Sequence, residues 1–506
     1  MTMLRRGSSI LNKSLWIVLL SLACSISRCS LSVEVDVSKT IVSGPGIVAD
    51  ATLPVRYVYI HPHDSEGEPI TKDLGDGAFS LTVTNNGQNI TASRQVLNLH
   101  NGTYIARFRL YDFGGNIEMS LKYQGEHVAK SPYKLVNVYG DECYCPMPLK
   151  KWTEALKCPA TFDQVERDLE IFEKIDLDDL VKRGIPKFGS HHSFCHYVVK
   201  GNKIYRQCYG KNTDFKRIMD ATLLSLTKKL KLPDVEFLMS LEDWPLERGS
   251  REQAHPIFSW CGSDKTLDIV LPTYDITQSV FEMLGTVSLD IFSVQANTGP
   301  NWEKKTNKGF FRGQDSSQER LDLAAMSLAN PDFLDVAITN YFFFKQDEEK
   351  YGKKVEHVSF FEFFKHKYQL NVDGTVAAYR LPYLLVGDGL VFKQDSEYYE
   401  HFYKDLKPWV HFVPLKKALS DVIEKINWAR EHDNEARKIQ QAATKLARQI
   451  LTPDRILCYH VVSFNEYAKR QTRPVKVLKK MEMVKQPPDK KCTCHRKKAK
   501  PKKDEL

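Results

Sequence analysis

Between residues 38 and 138 the chain alternates apolar and polar positions in short runs. The runs 55–60, 79–84, 104–111 and 117–123 are separated by Gly75-Asp76-Gly77, Asn85-Asn86-Gly87 and Gly114-Gly115-Asn116, with Gly44-Pro45-Gly46 ahead of them. A period of two, interrupted by turn residues every ~8–12 positions, predicts short strands stacked as an immunoglobulin-like β-sandwich. After residue 143 the period changes. Phe162, Val165, Leu169, Phe172 and Ile175 recur at helical spacing over 161–180. Phe215, Ile218, Met219, Leu223, Leu226 and Leu230 do the same behind Asp214, a candidate N-cap. The apolar run 235–241 reads as a buried strand, and 257–260 and 269–271 as further strands. Beyond residue 305, strands are expected at Phe310-Phe311, 368–372, 384–386, 390–392 and 410–413, with Gly387-Asp388-Gly389 as a turn between two of them. Ser316 and Glu319 form a capping box that opens a helix, Ser420 caps another, and 434–451 is a long helix. Strands alternating with helices over 310–451 predict an α/β, Rossmann-like domain.

At 506 residues, the chain holds about three domains. With 42% hydrophobic residues, it has the material for packed cores and is not a globally disordered chain. Arg5, Arg6 and Lys13 precede an apolar segment at 15–23, and small Ser25 and Ser27 follow it. This is the pattern of a secretory signal peptide, 1–27. No stretch reaches the ~20 apolar residues of a membrane span. The last four residues, Lys503, Asp504, Glu505 and Leu506, form an endoplasmic-reticulum retention signal, which implies a retention receptor as partner. The two addresses together predict a lumenal protein.

The 11 cysteines suit that oxidising compartment. Cys143, Cys145 and Cys158 cluster at a domain boundary, Cys195 and Cys208 flank a hairpin-like segment, and Cys458 lies far downstream. Spacing does not fix their pairing. Cys261 stands alone and is expected to be a free, buried thiol. Asn89 and Asn101 head glycosylation sequons in turn-like sequence. Much of the net charge of +9 sits in 490–503. In the lumen no nucleic acid is available as partner, and the basic run reads as a solvated tail presenting the retention signal. Cys492-Thr493-Cys494-His495 is half a metal pattern with no second half nearby, so no zinc is assigned.

The candidate chemistry starts where the strand 235–241 ends, at Glu242 and Asp243, before Trp244-Pro245. In open α/β sheets ligands bind beyond the carboxyl ends of the strands, where a carboxylate serves as general base; the plain alternative is a solvated loop. Arg312 and Arg320 flank a helix N-terminus, which suits a diphosphate or, equally, a salt-bridged surface turn. Gly374, Thr375, Val376, Ala377, Ala378, Tyr379 and Arg380 repeat the pattern, with small residues that let the backbone approach a ligand. Asp176-Leu177-Asp178 matches a metal-binding D-x-D string but belongs to a charged helix end.

Ser43-Gly44-Pro45-Gly46, Asn101-Gly102-Thr103-Tyr104 and the run 125–133 resemble a filamin repeat, a binding or spacer module. The run Leu241-Glu242-Asp243-Trp244-Pro245, then Phe311-Arg312-Gly313 with Glu319-Arg320, then 376–380, then Leu406-Lys407-Pro408-Trp409-Val410-His411 resemble the CAP10-type lumenal glycosyltransferases. The whole arrangement resembles their KDEL-motif-containing protein O-glucosyltransferase branch. That resemblance implies a GT-B transferase of two Rossmann-like halves, 143–305 and 306–480, behind the sandwich and ahead of a tail, 481–506. It implies UDP-glucose as donor, with side use of UDP-xylose, no metal or other cofactor, and a serine of folded EGF-like repeats as acceptor. Inversion would give a β-linked glucose. Asp243 falls at the base, Arg320 and Arg380 at the leaving diphosphate, and Thr375 to Tyr379 along the nucleotide pocket; Arg312 either binds phosphate or supports its turn. Two places depart from the pattern. Gln314 replaces a small Ser, and 288–301 aligns poorly with the segment that shapes the sugar pocket in relatives. Two other readings stand beside the enzyme. One is a non-catalytic lumenal binding protein or chaperone working through the filamin repeat. The other is a peripheral membrane protein held by its basic tail.

Overall fold

The computed structural model describes residues 34–90, 92–189 and 191–485, together with Cys492 and Cys494. The signal-peptide segment and Lys503 to Leu506 lie outside the described residues.

Residues 41–139 form two packed sheets. One orders Ile41–Ser43, Arg56–His61, Tyr104–Leu110 and Ala92–Asn98. The other is built around Phe79–Asn85 and Gly114–Tyr123, with Tyr133–Tyr139 also paired to the latter. Alternation in sequence becomes alternation in burial: Phe79, Leu81 and Val83 are buried, and Ser80 and Thr82 between them are exposed. They meet Val58, Ile60, Met119 and Leu121 in the sandwich core. Gly102 cannot be replaced in this frame. Its φ is +85°, and a Cβ there would stand 1.8 Å from the Ile70 carbonyl oxygen.

Two further sheets follow. In the first, β1 (Phe194–Lys200) and β2 (Lys203–Tyr209) form a hairpin. β3 (Val235–Ser240) pairs antiparallel with β1, then β4 (Ile257–Ser259) and β5 (Ile269–Val270) extend the sheet in parallel. Every residue of β3 is buried, as in a strand covered on both faces. The first half is thus a mixed sheet and not a wholly parallel Rossmann sheet. The second sheet is wholly parallel: β6 (Thr306–Gln314), β7 (Leu334–Asn340), β8 (His366–Asn371), β9 (Leu390–Gln394) and β10 (Val413–Leu415). Their spatial order is β7-β6-β8-β9-β10. This is the doubly wound 2-1-3-4-5 order, and it reverses direction between β6 and β8. The crevice beyond the carboxyl ends of those two strands is the expected ligand site.

Several expected elements take another form. The helix over 161–180 is broken into Asp163–Leu169 and a short Leu177–Asp179, whose cap is Asp176. Asp178 pairs with Arg473, so the D-x-D string serves local structure. Asp214 does not cap α1 (Lys216–Lys229); Phe215 holds that position. Residues 384–386 lie in helix α5 (Leu381–Val386), not in a strand. All six of its residues are buried, and a short apolar run has no period that separates the two states. The expected strand at 410–413 is β10, shifted toward the carboxyl end. The expected capping box does not form, because Ser317 is the N-cap of α4 (Gln318–Ala329) and Ser316 binds Arg320. Asp421, not Ser420, precedes α6 (Val422–Glu431).

After α7 (Asp433–Ile450) the chain returns to the first half. In α8 (Pro453–Lys469), Phe464 stacks 5.2 Å from Phe237 of β3, and the Tyr467 hydroxyl donates to the Pro256 carbonyl. The disulfide Cys158–Cys458 fastens this return, and Cys195–Cys208 crosses the β1–β2 hairpin. Cys143–Cys492 and Cys145–Cys494 put both cysteines of the half metal pattern in disulfides. Glu482–Met483 pairs with β2. No helix of the described residues is long and apolar enough to cross a membrane.

Candidate active site

The loop after β3 carries two carboxylates with different uses. Glu242 is occupied: Ser193 N–H and Trp244 Nε1–H donate to it at 2.8 and 2.9 Å, and His192 Nδ1 lies 3.0 Å away. Asp243 is left facing the cleft. Among the described residues its carboxylate takes one hydrogen bond, from the Tyr274 hydroxyl at 3.1 Å. The backbone of Asp243 is fixed from beneath, because its carbonyl accepts from the Tyr379 hydroxyl at 3.1 Å and from the Cys261 thiol at 3.2 Å. Cys261 is the free, buried thiol expected from the sequence. Desolvation raises the Asp243 pKa from its ordinary value, and the Tyr274 hydrogen bond works against that rise. Asp275, on the same lip, is pushed up to about 6, by desolvation first and then by the charge of Asp243.

The opposite lip is the crevice between β6 and β8. Buried Arg320 donates to neutral oxygens only: Ser316 Oγ at 2.6 Å and the carbonyls of Gln314, Val372 and Asp373. Arg380 donates to the Arg312 carbonyl at 2.7 Å and lies over the Phe311 ring. Neither guanidinium has an ion-pair partner among the described residues. Desolvation lowers the Arg320 pKa to about 9, helped by the Arg380 charge, and lowers Arg380 to about 10. Two desolvated cations without paired carboxylates are costly alone and are relieved by an anion between them.

Arg312 differs. Its guanidinium is taken by the Asp335 carboxylate at 2.5 Å and the Asp335 carbonyl at 2.8 Å, which gives it the work of supporting the turn. Glycines complete the cradle. A Cβ on Gly313 would lie 2.9 Å from Arg380 Nη2, and one on Gly374 would lie 2.8 Å from Ser316 Oγ.

One cleft of about 530 Å³ gathers Asp243, Arg312, Gly313, Arg320, Thr375, Val376, Ala377, Ala378, Tyr379 and Arg380. That volume is within the range of pockets for small ligands. The cleft also includes residues that sequence reasoning missed, among them Tyr274, Asp275 and Phe343, and it includes Leu289 from the departing segment 288–301. For Tyr274 and Asp275 a signal existed: Thr273 caps helix α2 (Tyr274–Glu282) directly after β5, another carboxyl end of a parallel strand. Phe343 is held by Asp315, whose buried carboxylate accepts the N–H groups of Phe342, Phe343 and Phe344 at 2.7–3.0 Å. Asn89 and Asn101 are both exposed on the sandwich.

A second groove of about 560 Å³, floored by Phe215, Ile218 and Phe281, adjoins the cleft and shares Tyr274 and Asp275 with it.

The model of glycosyl transferase family 90 matches residues 153–504, the part that carries both lips and the cleft. The chain belongs to glycosyl transferase family 90. Residues 34–134 match the filamin/ABP280 repeat, so this family 90 chain carries its transferase region behind a filamin-type sandwich. It is 49% identical over 475 residues to protein O-glucosyltransferase 2 of Danio rerio, covering 93% of this chain and 94% of the relative. Protein O-glucosyltransferase 3 of Homo sapiens is 44% identical over 504 residues, covering 96% and 98%. Protein O-glucosyltransferase 1 of Homo sapiens is 29% identical over 327 residues, covering 62% and 80%.

Proposed function

We propose that this family 90 chain is a protein O-glucosyltransferase of the endoplasmic-reticulum lumen. It transfers glucose from UDP-glucose to a serine of a folded EGF-like repeat, in a GT-B arrangement with the reaction at the cleft between the halves. The observation that carries the reading is that one cleft sets the Asp243 carboxylate on one lip and the Arg320 and Arg380 guanidinium groups on the other, none of the three with an ion-pair partner among the described residues.

Asp243 accepts the serine proton as the serine oxygen attacks C1 of the glucose. The C1–O bond to the β-phosphate breaks, and UDP leaves with the electron pair. The charge that grows on the diphosphate falls beside Arg320 and Arg380, whose positions are set in advance by carbonyl and hydroxyl partners. A single displacement inverts C1 and gives a β-linked sugar. The raised pKa of Asp243 makes it a stronger base than an ordinary carboxylate, while Tyr274 orients it. The groove that shares Tyr274 and Asp275 with the cleft is suited to the acceptor protein. The names of the relatives support protein O-glucosylation, and four disulfides suit a lumenal protein.

The test is incubation of the purified chain with UDP-glucose or UDP-xylose and a panel of folded EGF-like repeats. Hexose gained on a serine, with glucose preferred over xylose, is the expected result. Protein that binds UDP and modifies no repeat would overturn the acceptor. Protein that binds no UDP would leave the lumenal binding-protein reading in its place.

A further inference from the structure

The filamin-type sandwich lines no part of the cleft, yet one of its side chains is buried against the segment that follows Leu289, a residue of the cleft wall. Arg107, from the strand Tyr104–Leu110, places Nη1 at 2.8 Å from Asp290 Oδ1 and Nη2 at 3.1 Å from Ser293 Oγ. Both partners of the ion pair are at most 3% exposed. Gln95, on the neighbouring strand, accepts from Nε and Nη2 of the same guanidinium at 3.1 and 2.7 Å, so the fork is held from behind.

Asp290 is a buried helix N-cap of the transferase region. Its Oδ1 also accepts the N–H groups of Phe292 and Ser293, which starts helix α3 (Ile291–Ala296). The residue before it, Leu289, lines the cleft. Helix α3 packs on α5, whose N-cap is Arg380. The docking continues on either side. Arg109 donates to the Met283 carbonyl and Tyr111 to the Leu284 carbonyl, each at 3.1 Å, and the Tyr57 ring lies 4.6 Å from Phe292.

A buried ion pair adds little stability over a well-packed apolar pair, but a guanidinium whose fork reaches Asp290 with one nitrogen and Ser293 with the other fixes the position of both. We propose that Arg107 is a positioning residue for the donor pocket. It holds Asp290, and through Asp290 the turn that presents Leu289 to the sugar end of the donor, so the sandwich is a working wall of the transferase. This rests on the transferase reading above, and the test therefore reads donor binding without an acceptor.

Titration of the full-length protein with UDP and with UDP-glucose measures how much the glucose adds to or subtracts from affinity. In Arg107→Met the UDP affinity should stay within about threefold of the parent, because the Arg320 guanidinium is held by the Val372 and Asp373 carbonyls and that of Arg380 by the Arg312 carbonyl, all outside the sandwich and α3. The ratio of UDP-glucose to UDP affinity should change at least fivefold. Asp290→Asn keeps an oxygen for the α3 N–H groups and so retains the fold; it should change the ratio in the same direction. The double variant should be no worse than either single one, as expected for one shared interaction. Arg107→Lys, which keeps the charge, should recover part of the ratio. A lower melting temperature with an unchanged ratio in both single variants would overturn the proposal and leave Arg107 a structural contact. A parent protein whose UDP and UDP-glucose affinities are equal and stay equal in the variants would overturn it as well. Loss of UDP binding by the parent would instead contradict the transferase reading.

Discussion

The Tyr274 hydroxyl reaches Asp243 Oδ1 across 3.1 Å, and it is the one side-chain hydrogen bond on that carboxylate among the described residues. Its effect on charge has a definite sign. Desolvation raises the Asp243 pKa and this bond lowers it. In the proposed reaction Asp243 must be ionised to take the serine proton, so transfer is expected to fall as pH drops through its raised pKa. Tyr274→Phe removes the lowering contact. The acid limb of kcat/KM should move to higher pH, with the rate near neutrality reduced only a few-fold. An acid limb that does not move would show that Tyr274 does not tune the base.

Arg320 and Arg312 should separate cleanly. Among the described residues Arg320 donates to no carboxylate, and a charge-assisted bond to phosphate is worth roughly 1.5–3 kcal/mol. Arg320→Ala should therefore weaken UDP by about 10- to 100-fold. Arg312 is already engaged with Asp335. Arg312→Ala should change UDP affinity less than about threefold and appear mainly as a lower melting temperature. Calorimetry on both variants checks the contrast, and equal losses of UDP affinity would contradict the supporting role of Arg312.

The Asp335 carboxyl is held down to about 2, first by His366 and then by Arg312, against desolvation. A depressed folded-state pKa contributes stability above the unfolded value of ~3.9, and that stability is lost as pH falls toward 2. Arg312→Ala should flatten the acid side of the stability–pH curve measured by denaturant unfolding. An unchanged curve would remove Arg312 from that site.

Gly313 is required by space. Alanine there would put a Cβ 2.8 Å from the Phe311 ring and 2.9 Å from Arg380. Gly313→Ala should cost about tenfold in UDP affinity by turning Arg380 out of the cradle. Normal UDP binding in this variant would show that Arg380 does not touch the donor.

The four disulfides are a direct check on the frame. Peptide mapping without reduction should link Cys143 to Cys492, Cys145 to Cys494, Cys158 to Cys458 and Cys195 to Cys208. The Cys158–Cys458 bridge closes a sequence separation of 300 residues, for which chain entropy alone gives on the order of 5 kcal/mol. Cys458→Ser should accordingly destabilise the return of α8 more than any surface change, as read by denaturant unfolding.

Much of this architecture was legible in the chain. The run at 235–241 is a strand built on Val235, Phe237, Leu238, Met239 and Leu241, its one buried carboxylate, Glu236, being matched by His196 and Arg473, and Asp243 follows it at a carboxyl end. Phe310-Phe311 and 368–372 mark β6 and β8, and the arginines after them gather where the order of strands reverses. What was not legible has physical causes. The six buried residues of α5 have no polar face, so period could not tell helix from strand. Cys492 and Cys494 looked like a metal fragment because their partners lie 349 residues away. Asp243 and Glu242 are equivalent in sequence, and only the contacts from Ser193 and Trp244 show which one is occupied. Arg107 reads as a sheet residue until the structure sets it against Asp290.

The most direct test of the account is a comparison of the parent protein with Asp243→Asn. Calorimetric UDP affinity and single-turnover transfer from UDP-glucose to a folded EGF-like repeat would be measured on the same preparations. Removing the base leaves the diphosphate cradle intact, so the account predicts UDP affinity within about twofold of the parent. Transfer should fall by about 10²–10⁴, the contribution expected of general base catalysis. Transfer that persists at the parent rate would contradict the assignment of Asp243, and so would a loss of UDP affinity as large as the loss of transfer.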